Sequence, residues 1–156
     1  MTTRIIFVDD DPMLLASTRR QLHRKLDDCE MLFFERATDA LDSIAETPAD
    51  VVLSDLRMPE MNGAEFLNHV ATAHPNTIRL AWTGQSEIEQ LERVFGIAHQ
   101  VFSKPCPTET LIEIINTVVT ISQQPPEERL PLLPMALSEL DVVCFLENSK
   151  TGSLDR

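Results

Sequence analysis

Arg4-Ile5-Ile6-Phe7-Val8-Asp9-Asp10-Asp11-Pro12 runs from a short apolar stretch straight into three carboxylates and a proline. The apolar part has the length and composition of a strand covered on both faces. Pro12 suits the first turn of a helix, where its missing N–H costs nothing, so strand gives way to helix across the aspartates. The same grammar recurs along the chain. Apolar runs at Glu30–Phe34, Val51–Ser54, Ile78–Trp82 and His99–Ser103 alternate with segments of helical period at Pro12–Lys25, Thr38–Glu46, Ala64–Ala73, Glu87–Phe95 and Thr108–Ile121. Asn62-Gly63 supplies a turn ahead of the third helix. Five such βα units make an α/β domain built on a parallel sheet, and the near-continuous apolar first, third and fourth strands belong at its centre.

Working outward, the 156 residues allow one domain with a real core and a modest extension, and 43% hydrophobic with 24% charged residues is a globular composition. The net charge of −12 is spread over the chain, with −9 in residues 1–121 and −3 in residues 122–156. Without a basic stripe to neutralise phosphates, direct nucleic-acid binding and attachment to anionic membranes are not expected. Cys29, Cys106 and Cys144 are far apart and odd in number, which disfavours a disulfide framework or zinc site and fits a reducing cytoplasm. No run is apolar for long enough to span a membrane or to form a signal-peptide core.

In open parallel sheets, ligands collect at the carboxyl ends of the strands. The polar residues that follow the apolar runs are Asp9, Asp10, Asp11, Asp55, Thr83 with Gly84, and Lys104 with Pro105. Acidic residues after a strand can simply cap the next helix. Adjacent carboxylates nevertheless repel unless a cation sits among them, and a hard Mg²⁺ ion relieves that repulsion. Asp55, at the end of Val51-Val52-Leu53-Ser54, is either a turn aspartate or a nucleophile able to form an acyl phosphate with metal assistance. Thr83 adds a hydroxyl, Gly84 a place for close backbone approach, and Lys104 a point charge.

Taken together, Ile5 to Pro12, Asp50 to Pro59 with Asn62-Gly63, Trp82-Thr83-Gly84 and Ser103-Lys104-Pro105 resemble the receiver domain of two-component response regulators over roughly residues 3–121. The resemblance implies a CheY-like (βα)5 doubly wound sheet of strand order 2-1-3-4-5, to which the sequence pattern beyond Ile121 adds a C-terminal linker and helix. It implies Asp55 as phosphoacceptor, with Asp10 and Asp55 on Mg²⁺, Asp9 acting largely through water, and the backbone carbonyl of Arg57 as a further ligand. Thr83 and Lys104 would bind phosphoryl oxygens, and Arg57 and Gln85 would tune the lifetime of the acyl phosphate. The implied partner is a sensor histidine kinase or phosphotransfer protein, with output to the chain's own C-terminal segment, to a second copy of the chain, or to another protein. One position departs from the pattern: receivers often carry Tyr or Phe three residues before the lysine, and here it is Val101. Strand alternation sends Phe102 to the opposite face, where it is expected in the core.

Two other readings compete. Asp9-Asp10-Asp11 also satisfies the Asp-x-Asp pattern of haloacid dehalogenase-type phosphohydrolases, with Asp9 as nucleophile, although no later acidic pair completes their metal site. Val101 keeps open an unphosphorylated, receiver-like interaction module. Beyond Ile121, residues 122–134 read as an extended, Pro-rich linker, and residues 135–156 as a helical segment. The text from Val94 to Cys106, with Leu130-Pro131-Leu132-Leu133-Pro134, is similar to receivers fused to an HDOD domain, a helical signalling module. On that reading the C-terminal segment is the start of such an effector, His99 and Cys106 serve packing and turn geometry, and His69 and His74 face solvent.

Overall fold

A computed structural model of the chain describes residues 2–26, 28–84, 93, 94, 96–104 and 106–129. Strand β1 (Thr3–Val8) leads into helix α1 (Pro12–Leu22), followed by β2 (Cys29–Phe34), α2 (Ala37–Glu46), β3 (Val51–Asp55), α3 (Gly63–Ala73), β4 (Ile78–Thr83), β5 (Gln100–Ser103) and α4 (Thr108–Ser122). All pairings are parallel and the strand order is β2-β1-β3-β4-β5. The inner strands are the three expected there: β3 is buried throughout, and β1 and β4 at all but one residue each. The edge strands β2 and β5 are only partly covered. The helix expected over Glu87–Phe95 lies outside the described residues, apart from Arg93 and Val94.

Strand alternation divides the core in two. Ile5, Phe7, Val51, Leu53, Leu80, Trp82 and Phe102 face α1 and α4, whereas Ile6, Val8, Val52, Ala81 and Val101 face α2 and α3. Phe102 is 2% exposed and sits on the opposite side from Val101, as alternation requires.

Local chemistry explains where helices begin. Asp11 caps α1, its Oδ1 accepting the N–H groups of Met13 at 3.0 Å and Leu14 at 3.2 Å, with Pro12 in the first turn. At α3, Asn62 Oδ1 accepts from Glu65 N at 2.9 Å and Asn62 Nδ2 donates to Glu65 Oε1 at 3.0 Å, a reciprocal cap. Helix α1 stops at Leu22, short of Lys25, because the chain turns there to bury Leu26 and to enter β2 through Asp28, which adopts a positive φ of 59°.

The stretch after α4 departs from the extended course expected of it. Residues 126–129 form a helical turn, and the Arg129 guanidinium ties it to the amino-terminal end of the sheet. Arg129 donates to Gln124 O at 2.9 Å, Asn76 O at 2.8 Å and Ser122 O at 2.7 Å, so carbonyls left over at the end of α4 find a side-chain donor. Residues 130–134 of the expected linker and the expected helical segment 135–156 lie outside the described residues. No helix among the described residues is long and apolar enough to cross a membrane.

Candidate functional site

The carboxyl ends of β1, β3, β4 and β5 bring together residues separated by up to 95 positions in sequence. Asp9 follows β1 and is fully buried, Asp55 ends β3 at 4% exposure, Thr83 ends β4 fully buried, and Lys104 follows β5. Lys104 Nζ lies 2.7 Å from Asp9 Oδ2 and 3.2 Å from Asp55 Oδ1. Its backbone N–H donates to Thr83 O at 2.9 Å, which locks the β5 end against the β4 end. Asp9 Oδ1 in turn accepts the Asp11 N–H at 2.9 Å, so the second carboxylate oxygen is also engaged.

Asp10 is exposed at the rim, and Asp9, Asp10 and Asp55 each offer an oxygen such that all three atoms lie within 4.8 Å of one another. An all-oxygen donor set of that size and charge fits a hard divalent cation. Asp11 does not join the group, because its carboxylate is spent on the α1 cap. The Arg57 side chain is exposed just past the site. Gln85 and Pro105 lie outside the described residues.

Burial pushes the Asp9 carboxyl above its usual range, opposed by the hydrogen bond and charge of Lys104 and by the Asp11 N–H. For Lys104, burial alone would lower the ammonium, but hydrogen bonding and attraction to Asp9, then to Asp55, outweigh it and raise the net value. The lysine therefore stays charged at neutral pH.

Three residues matter here for reasons that sequence reading did not give. Gly63, read as a turn residue, opens α3 directly against the site: a Cβ there would stand 2.1 Å from the Asp55 carbonyl oxygen and 2.7 Å from Leu56 Cα. Its N–H donates to Leu56 O at 2.9 Å. Only glycine allows that approach. Ser54 Oγ donates to Asp55 O at 2.8 Å from a fully buried position. Trp82, beside Thr83, places its ring centroid 5.3 Å from Lys104 Nζ. The partial signals were the N-G dipeptide, the serine before the aspartate and an aromatic residue at a strand end, none of which states proximity. At Gly84 an added Cβ would meet nothing within 4 Å among the described residues.

The histidines and Cys106 stand apart from this chemistry. His99 Nδ1 accepts the Arg79 N–H at 2.9 Å, its own backbone N–H donates to Arg79 O at 2.7 Å, and burial with the Arg79 charge lowers its pKa to about 4. It is a neutral acceptor that fastens the start of β5 to β4. Cys106 packs on the α1/α4 side, and burial pushes its thiol up to about 11. His69 is exposed, whereas His74 is half-buried at the end of α3.

Residues 5–116 match the family described as the response regulator receiver domain. The hydrogenase transcriptional regulatory protein HoxA of Bradyrhizobium diazoefficiens is 30% identical over 119 residues, covering 75% of this chain and 24% of that protein. The chain thus spans about a quarter of the length of the curated relatives it matches. A CheY-like receiver domain protein from Methanospirillum hungatei JF-1 superposes with a TM-score of 0.70 at 25% identity, covering 79% of this chain and 98% of the other. The signal receiver domain of an HD domain-containing protein from Pseudomonas fluorescens Pf-5 gives 0.72 at 22% identity, covering 78% and 98%, a likeness of fold.

Proposed function

This chain belongs to the response regulator receiver domain family, and from that premise we propose that Asp55 is its phosphoacceptor, converted to an acyl phosphate that switches the domain. The observation that carries the assignment is the meeting of buried Asp9 and Asp55 with Asp10 at the rim and the half-buried Lys104: carboxylate oxygens within 4.8 Å of one another and an ammonium 3.2 Å from Asp55 Oδ1.

Carboxylates held that close need more positive charge than one lysine supplies, and their oxygens suit Mg²⁺. Asp10 and Asp55, with Asp9 largely through water and the backbone carbonyl of Arg57, would hold the ion. When bound, it supplies the charge neutralisation that lets a carboxylate approach phosphorus. Asp55 then attacks the phosphoryl group of a phosphohistidine on a sensor histidine kinase or phosphotransfer protein. The new bond is P–O, the broken one is P–N, and the imidazole leaves. Lys104, already beside Asp55, binds an oxygen of the transferred group as a point charge. Thr83 offers its hydroxyl from the neighbouring strand end.

The domain is a signalling module whose substrate is its own side chain. Near-complete switching needs the phosphorylated state to favour one conformation by about 5.5 kcal/mol. We assign residues 1–121 to the receiver and 122–129 to a tether on its base. The following segment, with its likeness to the opening of an HDOD module, is the natural recipient of the output, in a cytoplasmic protein. Incubation with acetyl phosphate, with and without Mg²⁺, followed by intact-mass measurement tests the reading. One phosphoryl adduct that requires the metal supports it, and no adduct from an active donor contradicts it.

A further inference from the structure

The geometry points to Trp82 as a positioning residue for the proposed phosphotransfer: its indole face holds the Lys104 ammonium over the Asp9–Asp55 pair. The inference rests on the phosphoacceptor reading for its function but not for its geometry.

The sheet register lines up Asp55 of β3, Trp82 of β4 and Phe102 of β5 as lateral neighbours, and parallel partners project to the same side. Trp82 is 3% exposed, the chain's one tryptophan, and has no tyrosine to share its task. Lys104 Nζ stands over its ring at 5.3 Å from the centroid, inside the range of a cation–π contact, with the ring buried and the lysine side chain 23% exposed. Phe102 meets the indole edge-on, with centroids 6.0 Å apart and an interplanar angle of 62°, which fixes the ring.

A lysine reaches its target on a flexible four-carbon stem, so an ammonium that must meet a phosphoryl oxygen needs a wall as well as a counter-charge. Its counter-charges here are Asp9 at 2.7 Å and Asp55 at 3.2 Å. Both carboxylates are also claimed by the proposed chemistry, and Asp55 ceases to be a carboxylate once it is phosphorylated. Among the described residues, the indole face is the contact of the ammonium whose attraction is independent of those changes. It therefore keeps Lys104 in register before and after transfer, on the side of the sheet where β4 and β5 carry rings.

A double-mutant cycle on the single-turnover rate of acetyl phosphate uptake, at saturating Mg²⁺, tests this with Trp82→Leu, Trp82→Phe, Lys104→Met and the double variant that combines Trp82→Leu with Lys104→Met. Trp82→Leu is expected to slow uptake about 3- to 30-fold, the fold-change equivalent of a cation–π contact, while Trp82→Phe restores most of the rate. In the Lys104→Met background Trp82→Leu is expected to cost nothing further. An equal loss in both backgrounds assigns Trp82 to packing alone and overturns the inference. A second readout needs no phosphorylation: in metal-free protein the Lys104 ε-methylene proton resonances should be shifted upfield by the ring, and Trp82→Leu should abolish the shift. Unshifted resonances in the folded wild type overturn the inference. If the wild type takes up no phosphoryl group, the Asp55 reading falls while this shift still decides the role of Trp82.

Discussion

At the site end of the sheet, β4 and β5 present different material to the two sides. Toward α1 and α4 they contribute Trp82 and Phe102; toward α2 and α3 they contribute Ala81 and Val101. The two pairs are sequence neighbours and lie in the same register, so only the side differs. The difference teaches where the functional groups find support. The Lys104 ammonium lies over a ring on the first side, while the position from which receivers often set an aromatic against the threonine is filled by an aliphatic residue on the second. The two sides are therefore unequal in packing energy, and that inequality can be measured.

The largest effect is expected from Phe102→Ala, which removes a fully enclosed ring and should destabilise the domain by about 3–5 kcal/mol, against about 2 kcal/mol for Val101→Ala. Urea unfolding of both variants checks the ratio, and equal losses would break the comparison. Next comes Gly63→Ala on the α2/α3 side. A Cβ placed 2.1 Å from the Asp55 carbonyl oxygen forces α3 or the end of β3 to move, at about 3 kcal/mol, with loss of Mg²⁺ affinity as the carboxylate shifts. An alanine variant as stable as wild type would show that small residues there are not dictated by close approach.

At the other end of β4 and β5 the support is polar and depends on pH. His99 is held neutral, with a pKa of about 4 against an ordinary 6.5, first by burial and then by the Arg79 charge. The unfolded chain therefore binds this proton more readily than the native one. Stability is full above about pH 6.5 and falls as the pH drops toward 4, by about 2–3 kcal/mol. His99→Asn, which retains an acceptor for the Arg79 N–H, should flatten that part of the pH profile in urea melts at pH 7 and 4.5. A profile unchanged by the substitution would assign the dependence to other groups. The smallest effect concerns the flanking helices. The aspartate cap of α1 should be worth about 1 kcal/mol by Asp11→Ala, whereas Arg36 makes no side-chain cap at α2 and its replacement by alanine should cost less. Equal costs in thermal melts would remove that distinction.

Much of this was legible in the chain because burial writes directly into sequence. Val51–Leu53 and Ile5–Val8 are continuous apolar runs since both faces are covered, and every strand was bounded to within one residue. Asp9, Asp55, Thr83 and Lys104 were legible as a group because strand ends in a parallel sheet converge. What stayed hidden depends on distances between elements. Asn62-Gly63 announces a turn but not that α3 begins against the Asp55 carbonyl, and Trp82 announces a core residue but not a lysine above its face. The early stop of α1 and the fold-back at Arg129 are tertiary events: one serves Leu26, and the other the free carbonyls at the end of α4 and the carbonyl of Asn76.

The most direct test of the account is intact-mass analysis of wild type, Asp55→Asn and Asp9→Asn after incubation with Mg²⁺ and acetyl phosphate. The account predicts one phosphoryl adduct on the wild type, none on Asp55→Asn, and a slowed but identical adduct on Asp9→Asn. An adduct that survives Asp55→Asn and vanishes in Asp9→Asn would contradict it and place the nucleophile after β1.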